Sequence, residues 1–299
     1  MIPKASPVIS STTPSPSVAV GGTISDSAVL ANGRVPGGTL TFKLYGPGDT
    51  TCQSSISTLT TTVSGNGTYS SGTFTTTAPG TYSWPVSYSG DANNNPAPTT
   101  ACGSETVIVT PQTLTGRAYG LAASASVAGL QLLTVNPTPD TGSVSTTKAE
   151  TIAPACVVSL SGLINSSTLC ASVTTSLNPS KSVAQASINS TTIGLPGLPV
   201  ITVGAVQSQS TSTCQAESGS TTIAYLSVGG VVVISKPTAV APNTKISVAG
   251  ITLVLNEQLT SPGTLTVNAV HVEVNALGLS LVTANVVLAS STSDIENCP

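Results

Sequence analysis

Ionic side chains are nearly missing from this chain. Lys, Arg, Asp and Glu make up 6% of its 299 residues, where about 25% is usual for a soluble domain. A net charge of −3 drawn from so few ions leaves no basic patch to neutralise phosphates and no polybasic strip for anionic lipid, which argues against nucleic-acid and membrane-surface partners. Aromatic residues are also scarce, with two Phe, six Tyr and a single Trp. The longest apolar run covers only residues 228–234, far short of the ~20 residues that a spanning helix needs. The N-terminus has no apolar h-region, so any secretion signal is expected to have been removed or replaced by an initiator Met.

Signatures of chemistry are missing too. The chain has no G-x-S-x-G elbow, no P-loop and no G-x-G-x-x-G. Ser145 and Lys148 match an S-x-x-K spacing, but the other elements of that catalytic set are missing and a Ser/Thr-rich loop produces such spacings by chance. His271 is the only His. It shares a strand face with Glu273 if side chains alternate, and such a pair falls short of the ligands that zinc wants. Apolar parity switches between Ala269 and Val270, so a bulge that exposes His271 and Glu273 is the simpler reading. Asp91 and Asn93–Asn95 put oxygens in a turn without the several carboxylates of a strong calcium site, and read as an Asx turn. No enzyme, cofactor or metal site is expected.

What the chain does have is hydroxyls, small β-formers and six cysteines, at 52, 102, 156, 170, 214 and 298. An even set without C-x-x-C points to disulfides rather than zinc, and so to an oxidising, extracellular compartment. If each domain keeps its own pairs, Cys52 joins Cys102 and three connectivities remain for the other four cysteines. Of these, Cys156 with Cys170 and Cys214 with Cys298 is preferred.

The strongest local signal is residues 82–93. Tyr82, Trp84, Val86 and Tyr88 share one parity, as a strand with one buried face requires, and Pro85 must face an edge or a bulge. Leu40, Phe42 and Leu44 repeat the pattern. Short strands at regular intervals up to residue 112 predict an antiparallel sandwich. Residues 1–17, rich in Pro and Ser and including Pro14 and Pro16, read as an extended arm or a ragged first strand. Val8 and Ile9 within this arm are candidates for pairing with a neighbouring subunit. The motifs Gly38-Thr-Leu-Thr-Phe42, Gly67-Thr-Tyr69, Gly80-Thr-Tyr-Ser-Trp84 and Tyr88-Ser-Gly-Asp-Ala-Asn93 resemble those of bacterial Ig-like repeat domains. That resemblance implies a spacer or adhesive stalk without catalytic residues.

Aromatics almost vanish beyond residue 112, and residues 113–299 form a second domain. Val/Thr/Ala-rich stretches near 118–133, 169–192, 198–212, 221–235, 245–257, 264–275 and 279–290 predict strands, and residues 134–155 read as a long polar loop. Gly-Leu and Gly-Ile pairs, among them those at 250 and 278, recur too irregularly for a solenoid. Sheets this poor in bulky side chains must pack closely on Ala, Val, Leu and Ile. The stretches 118–121, 137–142, 194–199, 237–243, 255–258, 267–271 and 293–298 resemble the choice-of-anchor P family of bacterial extracellular proteins, a likeness that implies export and surface display.

These readings together predict an all-β, disulfide-stapled, secreted or cell-surface structural protein, a self-assembling subunit of an extracellular fibre or coat. Stretches 198–212 and 279–290 carry no charge to discourage edge pairing, so the partner is expected to be a second copy of the chain. The alternative is an adhesin or glycan-binding module that recognises a cell-surface glycan or protein through Tyr45, Trp84 or Tyr119.

Overall fold

The computed structural model describes residues 2–12, 17–177, 179–248, 251–261, 263–274 and 282–299. Pro14, Pro16 and the Gly pairs at 250 and 278 lie outside them, as does the start of the 279–290 stretch. The fold is all-β. Its ladders are antiparallel except where Ser17–Ala19 runs parallel to Thr106–Thr110. Among the described residues no helix is long and apolar enough to cross a membrane. Two compact units divide the chain: Met1–Gln112 with Asn297–Pro299, and Thr113–Glu296. The last three residues therefore belong with the first unit.

In the first unit, alternation sends Leu40, Phe42 and Leu44 of the Thr39–Tyr45 strand into the core. Ser55–Thr62 and Val86–Tyr88 both pair with this strand. Residues 82–88 keep their predicted parity, with Tyr82, Trp84, Val86 and Tyr88 all buried, but they form two strands rather than one. Gly80–Ser83 pairs with Thr106–Thr110, and Val86–Tyr88 pairs with Thr39–Tyr45. The handover falls at Pro85, which has no N–H to give to a ladder. Its carbonyl still accepts the Lys43 N–H at 3.0 Å. Val8 and Ile9 lie in Val8–Thr12, which pairs with Ser27–Ala31 of its own unit. Cys52–Cys102 closes a 50-residue loop here.

The second unit is built on two larger sheets. One runs in the order Leu130–Asp140, Thr113–Val127, Val282–Glu296, Thr264–Val274, Ile251–Ser261, Thr244–Val248. The other centres on the hairpin of Ile164–Leu177 with Ser180–Ile193. Much of the expected 134–155 loop is strand, in Leu130–Asp140, Val144–Thr146 and Glu150–Ile152. Pro137 and Pro139 suggested a loop, but an edge position needs no N–H from either. Cys156–Cys170 spans 14 residues, and Cys214 and Cys298 are disulfide-bonded as well, so no cysteine is free.

The first of these sheets carries a shared irregularity. Along Thr113–Val127 the buried residues are Leu114, Gly116, Ala118 and Gly120, then Leu121, Ala123 and Ala125. The alternation advances by one at Gly120. It does so again at Ala289, Ala269 and Asn256 on the next three strands. Ladder registry holds on both sides while these residues drop out of it, and Ala289 and Asn256 take the left-handed φ values 50° and 49°. A local backbone turn of this kind lets the strand go on with the same face toward the core.

The chemistry between the sheets changes at this line. On one side it is aliphatic, with Leu121, Leu288, Val270 and Leu255 forming a cross-strand row. On the other side buried serines join the aliphatics: Gly116, Ser291 and Ser293, beside Leu265 and Val267, face Ser182, Ser208, Ser210 and Ser212. Ser212 Oγ meets Ser293 Oγ at 2.8 Å, and Ser182 Oγ donates to the Thr115 carbonyl at 2.7 Å. Close approach requires glycine here, because a Cβ on Gly116 would lie 2.8 Å from Val173 Cγ1. The main core rests on Ala, Val, Leu and Ile as expected, and the serines, not foreseen there, add a small side chain where the gap is narrow.

Removing one partner of a buried hydroxyl pair strands the other. Ser293→Ala is therefore expected to cost about 1–3 kcal/mol, and the double variant with Ser212→Ala to cost less than the sum of the singles. Urea denaturation of the four proteins of that cycle measures both.

Candidate functional site

The advance in alternation also orders the opposite face of the same sheet. Tyr119, Ser290, Asn268 and Glu257 are consecutive cross-strand partners, and alternation turns them away from the aliphatic core. Ser290 Oγ donates to Asn268 Oδ1 at 2.7 Å, and Asn268 Nδ2 donates to Glu257 Oε2 at 2.8 Å. His271 Nδ1 lies 2.9 Å from the same carboxylate oxygen, and its Nε2 lies 3.2 Å from Asn285 Oδ1. The result is one polar seam across three strands. Side-chain exposure of His271 and Glu257 is 17% and 15%, so their contact is largely shielded from water.

The parity switch at Ala269 is present, but without the expected bulge, since the paired strands each skip one residue and keep register. Glu273 is exposed, whereas His271 is largely shielded and its carboxylate partner is Glu257. The polar run Asn256-Glu257-Gln258, which interrupts an apolar strand, was the signal for it. Both imidazole nitrogens are met by oxygens, so the arrangement braces three strands against one another. Among the described residues, no group of three or more His, Cys, Asp or Glu is placed to hold a metal ion.

At the other end of the row, Arg117 grips Asp140 through two bonds, Nε to Oδ1 at 3.1 Å and Nη2 to Oδ2 at 2.7 Å. Its guanidinium lies 5.6 Å over the Tyr119 ring. The guanidinium holds the Asp140 carboxyl below the usual carboxylate range. Shallow depressions between Tyr119, Ala122, Ser124, Val135, Asn285 and Val287 mark the same face. Tyr45 and Trp84, expected as exposed stacking platforms, are buried in the first unit's core. The parity of Trp84 points it inward, and Tyr45, opposite in parity to Leu44, is turned inward beyond a register shift between the two.

The Asp91 turn is built as a structural knot. Its carboxylate accepts the N–H of Gly37 at 2.5 Å, of Asn93 at 2.7 Å and of Asn94 at 2.9 Å, together with the Asn94 side-chain amide at 2.8 Å. The Asp91 carbonyl takes the Lys4 ammonium at 2.7 Å, and Ala5 bonds the backbone of Asn93 and Asn95. These bonds fasten the N-terminal arm to its own unit. They also hold the Asp91 carboxyl far below its ordinary range, the Gly37 N–H contributing most. Burial, and then the bond to Asp91, push the Tyr88 hydroxyl up to about 12.

Two outcomes are expected. His271→Ala leaves the shielded Glu257 carboxylate short of a donor and should cost about 1–3 kcal/mol, with His271→Gln recovering part of it in chemical denaturation. Carboxyls with depressed folded pKa values contribute stability that is complete above their unfolded value near 4 and is lost as pH falls through the folded value. Melting temperature should therefore decline on acidification below about pH 4, and less steeply in Asp91→Ala, as read by circular dichroism. No family model matches this chain, and no curated protein or solved structure matches it, so the likenesses to bacterial Ig-like repeats and choice-of-anchor P domains rest on the quoted motifs alone.

Proposed function

We propose that this protein is a secreted structural subunit that assembles with copies of itself into a fibre or coat on the cell exterior. The observation that carries the reading is that uncharged strand edges stay open on sheets stapled by oxidised cysteines. Edge strands ordinarily carry a charge, a proline or a cover against pairing. Three disulfides fit an oxidising compartment, and a surface with so few ions offers little to a charged ligand. The stretches first singled out as uncharged edges are interior strands: Ile201–Val203, Val206–Thr213 and Val282–Glu296 each have neighbours on both sides. Uncharged edges of the same unit lie instead at Val157–Leu160 and Val231–Ile234, each with one partner strand among the described residues.

The glycan-binding alternative loses two of its three platforms and falls back on Tyr119, whose ring lies beneath Arg117. Purified protein is expected to form concentration-dependent polymers in sedimentation velocity, and the same material should appear as fibres or a layer in electron micrographs of the native cell surface. Monomers at every concentration together with a bare surface would sink the reading.

A further inference from the structure

Six strands of the second sheet meet in one unbroken cross-strand row: Leu160, Ser166, Thr191, Val203, Leu226 and Ile234. Each neighbouring pair in the row is antiparallel, so strand direction reverses at every step. With an even number of strands, the two outermost, Val157–Leu160 and Val231–Ile234, run in opposite directions. Each pairs with a single strand among the described residues. Neither contains a charged residue or a proline. Three of their valines are open to solvent, Val158 at 76%, Val231 at 58% and Val232 at 51%, while Val157, Leu160, Val233 and Ile234 pack against the core.

Most remaining margins of these two sheets are guarded, the three-residue Val144–Thr146 excepted. Lys245 lies in Thr244–Val248, Glu150 in Glu150–Ile152, and Pro137 and Pro139 in Leu130–Asp140. Thr238–Ala239 directly follows Lys236 and Pro237. Val157–Leu160 and Val231–Ile234 are thus unguarded edges at the two ends of one ribbon. One of them is also fixed covalently, because Cys156, next to Val157, is bonded to Cys170 on the adjacent strand.

We infer that these two edges bind each other between copies of this chain, Val157–Leu160 of one copy adding antiparallel to Val231–Ile234 of the next. The inference rests on the assembly reading above and assigns its contact. The direction count makes the edges complementary: a second copy set beside the first in the same orientation, without being turned over, brings opposed strands together as an antiparallel ladder needs. Both strands end on the shared row from opposite sides, so full overlap requires a step along the strands of about three residues, roughly 10 Å at the rise of a strand. That step also moves Lys236 and Pro237 clear of the contact. A contact between two different edges is head-to-tail, so it does not close on two copies and repeats into an open filament. Sheet twist makes that filament helical.

The test uses the full oxidised chain and two variants, Val158→Lys and Val232→Lys, each altering an exposed side chain on one edge. Ser159→Asp and Val231→Asp replace them if either fails to give the wild-type circular dichroism and non-reducing peptide map. Each variant alone is expected to raise the concentration needed for polymerisation at least about tenfold, since a charge now sits on the pairing edge. At a concentration where wild type polymerises and both variants are monomeric, an equimolar mixture should form dimers and nothing longer, because one intact edge remains on each partner. Wild-type polymers with variants that polymerise equally well would overturn the edge assignment and leave the assembly reading standing. So would a mixture that stays monomeric, or only one of the two substitutions having an effect. Wild type that stays monomeric throughout removes the assembly reading itself, and this inference with it.

Discussion

The second unit depends on a single geometric constraint, the line along which four neighbouring strands advance their alternation together. If Val282–Glu296 kept the parity of Val286 and Leu288, Ser290, Thr292 and Asp294 would face the opposing sheet, and Ser291 and Ser293 would face away. The advance at Ala289 prevents this. Its neighbours Gly120, Ala269 and Asn256 must change at the same level, or the ladder between them would lose register. Small residues occupy most of the line because the backbone turns there and the opposing sheet lies close: a Cβ on Gly120 would come within 2.8 Å of Leu169 Cβ.

One consequence is a division of labour within a single sandwich. The aliphatic half supplies the hydrophobic driving force through branched side chains. The serine-bearing half gives up part of that and gains close approach. Ser208, Ser210, Thr221 and Ser291 have hydroxyls in this region without a protein partner among the described residues, a cost that the aliphatic half and the disulfides must offset. The outward face inherits the polar seam from Tyr119 to Glu257, and Arg117, Asp140, Glu257 and His271 gather along it in a chain with few ionic groups.

Legibility from sequence followed the strength of local contrast. Bulky aromatics alternating with hydroxyls at 82–88 marked buried positions that the structure keeps, and the switch at Ala269 and Val270 was visible because large aliphatics flank it. Where Ser and Thr alternate with other small residues, as in Val206–Thr213, inward and outward positions look alike, and the serine-lined layer stayed hidden. Pairing across distance was equally hard to read. Glu257 reaches His271 through a neighbouring strand rather than along its own, whereas Glu273 was the nearer carboxylate in sequence. Which strand is an edge is a property of topology, so uncharged composition alone pointed to 198–212, an interior stretch. The six oxidised cysteines were legible because their number and spacing carry the signal by themselves.

The serine-lined layer has a further thermal consequence. Heat capacity on unfolding rises with newly hydrated apolar area and falls with newly hydrated polar area. A sandwich that buries hydroxyls over part of its interior therefore exposes less hydrocarbon per residue there when it melts. Its free-energy curve against temperature is correspondingly shallow, which spreads the working range toward both cold and heat.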